Sequence, residues 1–404
     1  MLGLKFSVAG TALLAVALAA GSACAAGTPG VSATEIKIGQ TMPYSGPASA
    51  YGVIGKAEVA FFKMVNDEGG VDGHKIDLIS LDDSYSPPKA VEQTRKLIEE
   101  DQVAFLFNSL GTPSITATQK YVNHKGVPQL FVATGADKWG NYKQYPWTIG
   151  WQPSYRTEAQ IYAKYILTTK PGAKIGILYQ DDDFGKDYLA GIRDALGSKY
   201  SSMVVKEVSY EVTDPTIDSQ ILTLQGSGAD TLVTAATPKF AAQTIRKVYD
   251  IGWKPLHFLT NVSISVASVM TPAGKEKGTG IISATYGKDP TDPTWAKDPG
   301  MLQWRAFMAK YMPGADMTDY NYVYAYGVSE TMLTVLKQCN GDFSRANIMK
   351  QAANLHNLTL AALLPGITVN TSPTNYHPIT QMRLQKWNGN VWVQFGPVIN
   401  GIGS

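Results

Sequence analysis

The sequence predicts an α/β protein built as two doubly wound lobes. Two observations carry this. Strand and helix signals alternate in two successive runs, the first opening at Ile36 and the second near Trp151, and repeated βα alternation implies a parallel sheet wrapped by helices on both faces. The chain has 404 residues, more than the ~250–300 at which one hydrophobic core stops growing. A third, helix-rich stretch follows the two runs and must return to pack against them.

In the first run, Ile36 to Met42 reads as a strand. Ala57, Ala60, Phe61, Met64 and Val65 keep the i, i+3, i+4, i+7 rhythm of a half-buried helix, which Gly69-Gly70 stops. Lys75 to Leu81 is the next strand. Ser86 and Pro87 then read as N-cap and first helical residue of a helix burying Val91, Thr94, Leu97 and Ile98. Val103 to Phe107 is almost continuously apolar, as an interior parallel strand should be. Pro113 opens another helix and Pro128 to Val132 forms a fourth strand.

The second run places helices over 154–167, 184–196, 217–224 and 240–251, and strands over 174–179, 203–210 and 231–234. In the third stretch, Asp289-Pro290-Thr291-Asp292-Pro293 reads as a solvated turn, since no calcium-loop spacing follows. Helices are expected over 300–311, 320–339 and 344–355. Strands over 381–387 and 391–395 flank Asn388-Gly389, a two-residue hairpin signal.

The N-terminus has the order of a secretory signal peptide over residues 1–26: Lys5, an apolar core from Ala9 to Ala20, then small residues. The core is shorter than the roughly 20 residues that span a bilayer. Cleavage after Ala25 or Ala26, or lipidation at Cys24, both fit, and either implies export, in the first case to the periplasm. A net charge of +2 excludes a general attraction to nucleic acid or anionic membrane. With Cys24 gone, Cys339 is a lone thiol in an apolar helix pattern and is expected in the core.

The chemistry-bearing motifs are missing. His74, His124, His257, His356 and His377 are scattered without metal-ligand spacing. There is no G-x-S-x-G elbow, no P-loop, and the third glycine of a dinucleotide fingerprint is absent after Gly278-Thr279-Gly280. These absences predict a protein that is no enzyme and needs no cofactor or metal. The acid runs Asp82-Asp83 and Asp181-Asp182-Asp183 fall at strand ends, where α/β sheets hold ligands. For the second run, capping by Asp183 of the helix opening at Phe184 competes with ligand or metal contact.

Several ordered segments resemble the branched-chain amino-acid-binding proteins of ABC importers. They are Ile36-Lys37-Ile38-Gly39, Pro43-Tyr44-Ser45-Gly46-Pro47 with Tyr51-Gly52, Asn66 to Gly73, the strand ending in Asp82-Asp83, and Pro87-Pro88-Lys89-Ala90. Gly126-Val127-Pro128 with Ala133-Thr134, Asp183-Phe184-Gly185 and Gln243-Thr244-Ile245-Arg246 continue the series over nearly the whole mature chain. The resemblance implies a type I periplasmic binding protein fold with three chain crossings, near Gly150, Ser283 and His377. Lobe one is then 34–150 plus 284–377, and lobe two 151–283 plus 378–404.

The resemblance also implies a site in the cleft. Leu110-Gly111-Thr112 and Ala133-Thr134-Gly135 would bind a ligand carboxylate through hydroxyls and backbone N–H groups, with simple N-capping as the other role open to each threonine. Unpaired N–H groups at the helix opened by Pro113 favour an anion, and glycine permits close approach. Tyr51 and Phe184 would wall the pocket from the two lobes, and Thr237 stands where a tyrosine is frequent. Binders of α-amino acids place a carboxylate at the position of Val262, next to Asn261. Valine cannot neutralise an ammonium, so an aromatic or short aliphatic acid is the expected ligand, with a branched-chain or other amino acid as the alternative. The implied mechanism is hinge closure, with delivery to an ABC permease by a monomer. A ligand-sensing receptor component and an exported enzyme are the readings from other classes.

Overall fold

The computed structural model describes residues 1–3 and 27–401, so the expected signal core and Cys24 lie outside the described residues. Two sheets organise the chain. The first has five strands in the order β2-β1-β3-β4-β5: β1 (Glu35–Met42), β2 (Lys75–Asp82), β3 (Phe105–Phe107), β4 (Gln129–Val132) and β5 (Thr148–Gly150). All its pairings are parallel, as the βα alternation demands. Helices α1 (Gly52–Asp67), α2 (Pro87–Arg95) and α3 (Thr112–His124) connect its strands.

After β5 the chain crosses to the second sheet. Helix α4 (Tyr155–Thr169) leads into β6 (Ile175–Gln180), and helix α5 (Asp183–Leu196) follows. The sheet is completed by β7 (Val204–Tyr210), β8 (Thr231–Ala235), β9 (Leu256–Leu259), β10 (Ile282–Thr285), β11 (Gln381–Trp387) and β12 (Trp392–Asn400). Its seven strands run in the order β12-β11-β10-β9-β8-β6-β7. Only β11 and β12 are antiparallel to their neighbours. The chain leaves this sheet after β10 and comes back to it at β11, which makes the second and third crossings.

Between those crossings, helices Pro299–Tyr311, Tyr320–Gln338 and Arg345–Ala352 pack on the first sheet's layer. Phe61 of α1 meets Tyr326 edge-on at 5.3 Å and Phe307 at 6.0 Å between ring centroids. The Arg345 guanidinium donates to the Ala104 and Val103 carbonyls at 2.8 and 2.9 Å. At the first crossing Trp151 is buried, edge-on to Tyr324, and donates through Nε1 to Thr331 at 3.0 Å. The first crossing is thus packed on the returning helix Tyr320–Gln338.

Local expectations are met or corrected for identifiable reasons. Ser154 caps α4 by accepting the Thr157 N–H. Ser86 stands at the N-cap of α2 but makes no side-chain cap bond. The cap of α5 is Asp182, one residue before Asp183, because its carboxylate accepts the Gly185 N–H. The turn between β11 and β12 spans four residues rather than two, since Asn388 Oδ1 accepts the N–H groups of Asn390 and Val391. The 289–293 segment is only partly solvated, with Pro293 exposed and both acids covered. Asp289 and Asp292 are buried, Asp289 Oδ1 accepts the Thr291 N–H, and Lys288 pairs with Asp298 at 2.8 Å. Strands β5, β9 and β10 have three or four residues each, too few to show a period in sequence. Cys339 is buried as expected. Its Sγ lies 3.3 Å from the Val335 carbonyl, and burial pushes the thiol up to about 12.

Helices α4 and α5 touch through Gly191. A Cβ there would lie 2.2 Å from the Arg156 carbonyl oxygen and 2.8 Å from the Ala159 Cβ. Overpacking of this kind costs roughly 1–3 kcal/mol, so Gly191→Ala should lower Tm by several degrees. Gly226→Ala, with nothing within 4 Å of the new Cβ, should leave it unchanged. Thermal unfolding followed by circular dichroism checks both.

Candidate functional site

The C-terminal ends of the parallel strands in both sheets face one cavity. Its free space, counted out to the solvent, is about 590 Å³. From the first lobe, the loop after β3 turns through Asn108, held at φ 46° while its Nδ2 donates to the Phe131 carbonyl and to Tyr324 Oη. Gly111 follows at φ 108°, and a Cβ there would meet the Tyr85 ring at 2.7 Å, so only glycine fits. Helix α3 opens at once with Thr112.

Thr112 Oγ1 and Thr134 Oγ1 are 2.5 Å apart. Thr134 Oγ1 also accepts the Ala136 N–H at 3.3 Å and the Trp139 Nε1–H at 3.4 Å. A hydroxyl oxygen has two lone pairs and one proton. With both lone pairs engaged, Thr134 donates to Thr112, and the Thr112 proton is left for another acceptor. The pair therefore acts as a donor, at the positive end of α3.

The second lobe contributes Phe184, whose ring centroid is 4.6 Å from that of Tyr155, and Thr237, whose N–H donates to Tyr210 Oη at 3.0 Å. Asn261 follows β9 and donates its backbone N–H to Glu158 Oε1 at 2.8 Å and its side-chain amide to Glu158 Oε2. Glu158 is fully buried behind the wall, and desolvation raises its carboxyl to about 7 against the hydrogen bonds of Tyr162, Tyr188 and Asn261.

Of the residues singled out in sequence, the structure brings Tyr51, Leu110, Gly111, Thr112, Ala133, Thr134, Phe184, Thr237 and Asn261 together on this cavity. Gly135 is not on the lining. It is a packing residue: a Cβ there would lie 2.6 Å from the Pro153 carbonyl oxygen, and its own carbonyl accepts the Tyr155 N–H at 2.7 Å. The sequence reading missed Tyr85, Tyr155, Tyr286, Tyr320 and Tyr324 as wall residues. Tyr320 and Tyr324 were findable, because residues four apart share a helix face and the 320–326 run is tyrosine-rich. Tyr85 and Tyr286 lie in irregular segments with no periodicity to read.

The lining holds no Asp, Glu, Lys, Arg or His. Its phenols stay protonated, since burial pushes Tyr155, for one, up to about 12. The 181–183 acids point elsewhere. Asp182 caps α5, Asp183 pairs with Lys138 at 2.7 Å, and Asp181 pairs with Lys186 at 3.1 Å. Among the described residues no group of His, Cys, Asp or Glu side chains could hold a metal ion, and no helix is long and apolar enough to cross a membrane.

The lobes are closed on each other around the cavity. Tyr51 Oη donates to the Val262 carbonyl at 3.0 Å, Ser265 Oγ to Asp319 at 2.8 Å, and Gln180 Nε2 to Tyr85 Oη at 3.4 Å. On the flank, Lys138 reaches Asp183, and the Asp137 N–H donates to Asp187 at 2.7 Å.

Two lobes facing a shared cavity of this kind are the architecture of a binding protein. The comparisons make the family plain: a model of the periplasmic binding protein family matches residues 35–391, and the chain belongs to that family of extracytoplasmic solute-binding proteins. The chain is 28% identical over 301 residues to "Leu/Ile/Val-binding protein homolog 1" of Brucella abortus, which covers 71% of this chain and 74% of the relative. Its fold is shared with a branched chain amino acid ABC transporter structure from Thermus thermophilus with bound valine (TM-score 0.82, 14% identity, 92% of this chain and 98% of the other). It is shared also with an R. palustris solute-binding protein in complex with 4-hydroxybenzoate (TM-score 0.74, 18% identity, 91% and 97%).

The Asp187 carboxyl is half-buried where the lobes meet, and desolvation, with the charges of Asp137 and Asp183, outweighs the Asp137 N–H and Arg156 and raises it to about 7. A carboxyl raised above its ordinary value holds its proton in the closed form. Its contribution is complete below about pH 4 and is lost as pH rises through about 7. Asp187→Asn should therefore flatten the fall in Tm between pH 5 and 8. Parallel melts of the two proteins across that range provide the check.

Proposed function

We propose that the protein captures a small carboxylate-bearing organic molecule, an aromatic or short aliphatic acid, by hinge closure, and delivers it to an ABC permease. The supporting observation is the chemistry of the cavity: six tyrosines and Phe184 on its walls, hydroxyl and amide groups among them, and no charged side chain. The Thr112–Thr134 pair and the start of α3 supply donors for an anion. Nothing on the lining offers a charge to an ammonium, and leaving such a group buried and unpaired costs on the order of several kcal/mol.

In this reading Tyr51, Leu110, Gly111, Thr112, Ala133 and Thr134 hold the ligand from lobe one, and Phe184, Thr237 and Asn261 from lobe two. Lobe one is 34–150 plus 284–377, and lobe two is 151–283 plus 378–404. A ligand shifts the lobes toward closure only by the difference in its affinity for the two forms. A Kd near 1 μM corresponds to about −8 kcal/mol, enough to draw together halves separated by a few. The closed shape is then what the permease reads. Residues 1–26 serve export to the periplasm, where the protein acts as a monomer.

A branched-chain amino acid is the second reading, favoured by the printed name of the Brucella relative. Val262 stands against it, because its side chain brings the cavity no carboxylate.

Calorimetric titration separates the two. Benzoate-like or short aliphatic acids should bind, and leucine, isoleucine and valine should not; micromolar binding of the amino acids without the acids would overturn the proposal. Thr112→Val should weaken acid binding at least tenfold, since it removes the proton left for the ligand, and should lower Tm by a few degrees at most, since the Thr134 hydroxyl also loses its acceptor. Equal loss of binding and stability would mark a folding role instead.

A further inference from the structure

The proposed ligand has a second end, and the wall it meets is set by Glu158. Asn261 lies on the cavity, whereas Glu158 lies behind it. Glu158 Oε2 accepts from Asn261 Nδ2, and Oε1 accepts from the Asn261 N–H while touching Tyr162 Oη. Tyr162 Oη also reaches the Leu259 carbonyl at 2.8 Å and accepts the Ala284 N–H at 3.0 Å.

This arrangement holds the amide one way round in both charge states of the carboxyl. When Glu158 is ionised, both oxygens only accept, so the amide NH₂ must face it. When it is protonated, Tyr162 Oη can pass its own proton to the Leu259 carbonyl and so gives a proton on Oε1 an acceptor. Oε2 remains an acceptor, and the NH₂ still faces it. In either case Asn261 Oδ1 is left for the cavity side, and among the described residues no protein group donates to it.

We infer that Asn261, positioned by Glu158, selects for a neutral hydrogen-bond donor on the ligand: the guest is a hydroxylated organic acid, most simply a hydroxybenzoate, rather than an unsubstituted acid or an ammonium compound. This rests on the carboxylate-binding reading above. An ammonium is refused because one amide oxygen supplies no charge. An acid lacking a donor is accepted less well because it buries Oδ1 without a partner, and unsatisfied buried acceptors are costly. The surrounding rings suit a flat aromatic body, with rings placed for stacked or edge-on contact.

The experiment is a calorimetric series with benzoate, 3-hydroxybenzoate, 4-hydroxybenzoate and 4-methoxybenzoate against the full mature chain and Asn261→Ala. In the wild type one hydroxybenzoate should bind about tenfold or more tighter than benzoate, and the methoxy compound, which accepts but cannot donate, should lose that gain. In Asn261→Ala the ratio of hydroxybenzoate to benzoate affinity should fall to about one, whatever the absolute affinities become. Equal wild-type affinities across the series, or a hydroxyl preference that survives Asn261→Ala, would overturn the role of Asn261 while leaving the carboxylate reading intact. No binding by any member, with leucine binding instead, would overturn both. If Asn261→Ala fails to fold, the wild-type series alone decides.

Discussion

The cavity between the lobes is kept free of charge, and much of the surrounding structure serves that constraint. Acids stand close to it on several sides, yet each is turned away and occupied. Asp182 caps α5 and accepts from Gln180, Glu158 is bound behind Asn261, and Asp319 accepts from Ser265 and the Asn321 N–H. The space itself is left to phenol, hydroxyl and amide groups. In a low-dielectric space, such fixed dipoles weigh far more than they would in water. Hydroxyl donors from the first lobe and the Asn261 amide from the second line the space without adding a charge that would have to be neutralised.

The halves are held together in a manner suited to parting. The contacts around the cavity are single hydrogen bonds from Tyr51, Ser265 and Gln180 and a flank pair from Lys138. Each is of the modest strength of an exchangeable hydrogen bond. The hinge is different in kind. Trp151 is buried among Tyr286, Tyr324 and Thr331, and is packed into the layer to which the returning helix belongs. A stiff pivot and a weak seam are what domain closure requires.

Some of the site could be read in sequence because its residues sit at places with a grammar. Thr112 and Pro113 are the first residues of α3, Phe184 is the second of α5, and Thr237 precedes Pro238 at the start of a further helix. Strand ends followed by helix starts mark the edge of the sheet where ligands lie. Gly135 was misjudged because only the packing of Tyr155 and Pro153 shows which way that turn faces. Asp183 was misjudged by one residue, since capping depends on which carboxylate reaches the Gly185 N–H. The 289–293 turn had the composition of a surface loop; its two acids are covered where the chain leaving β10 runs under the 361–362 segment, with the Lys288 N–H on the Ala362 carbonyl.

By itself the sequence determined the alternation of strands and helices, the division into two βα runs with a returning segment, and the lack of catalytic or metal-binding motifs. These are local matters of period, punctuation and spacing. Which side chains face the cavity, and in which orientation, was decided by the tertiary structure. Glu158 and Asn261 are separated by 103 residues, and no local pattern joins them. Only the folding of α4 against the end of β9 sets one behind the other, where a carboxylate that can only accept dictates how its neighbour's amide must turn.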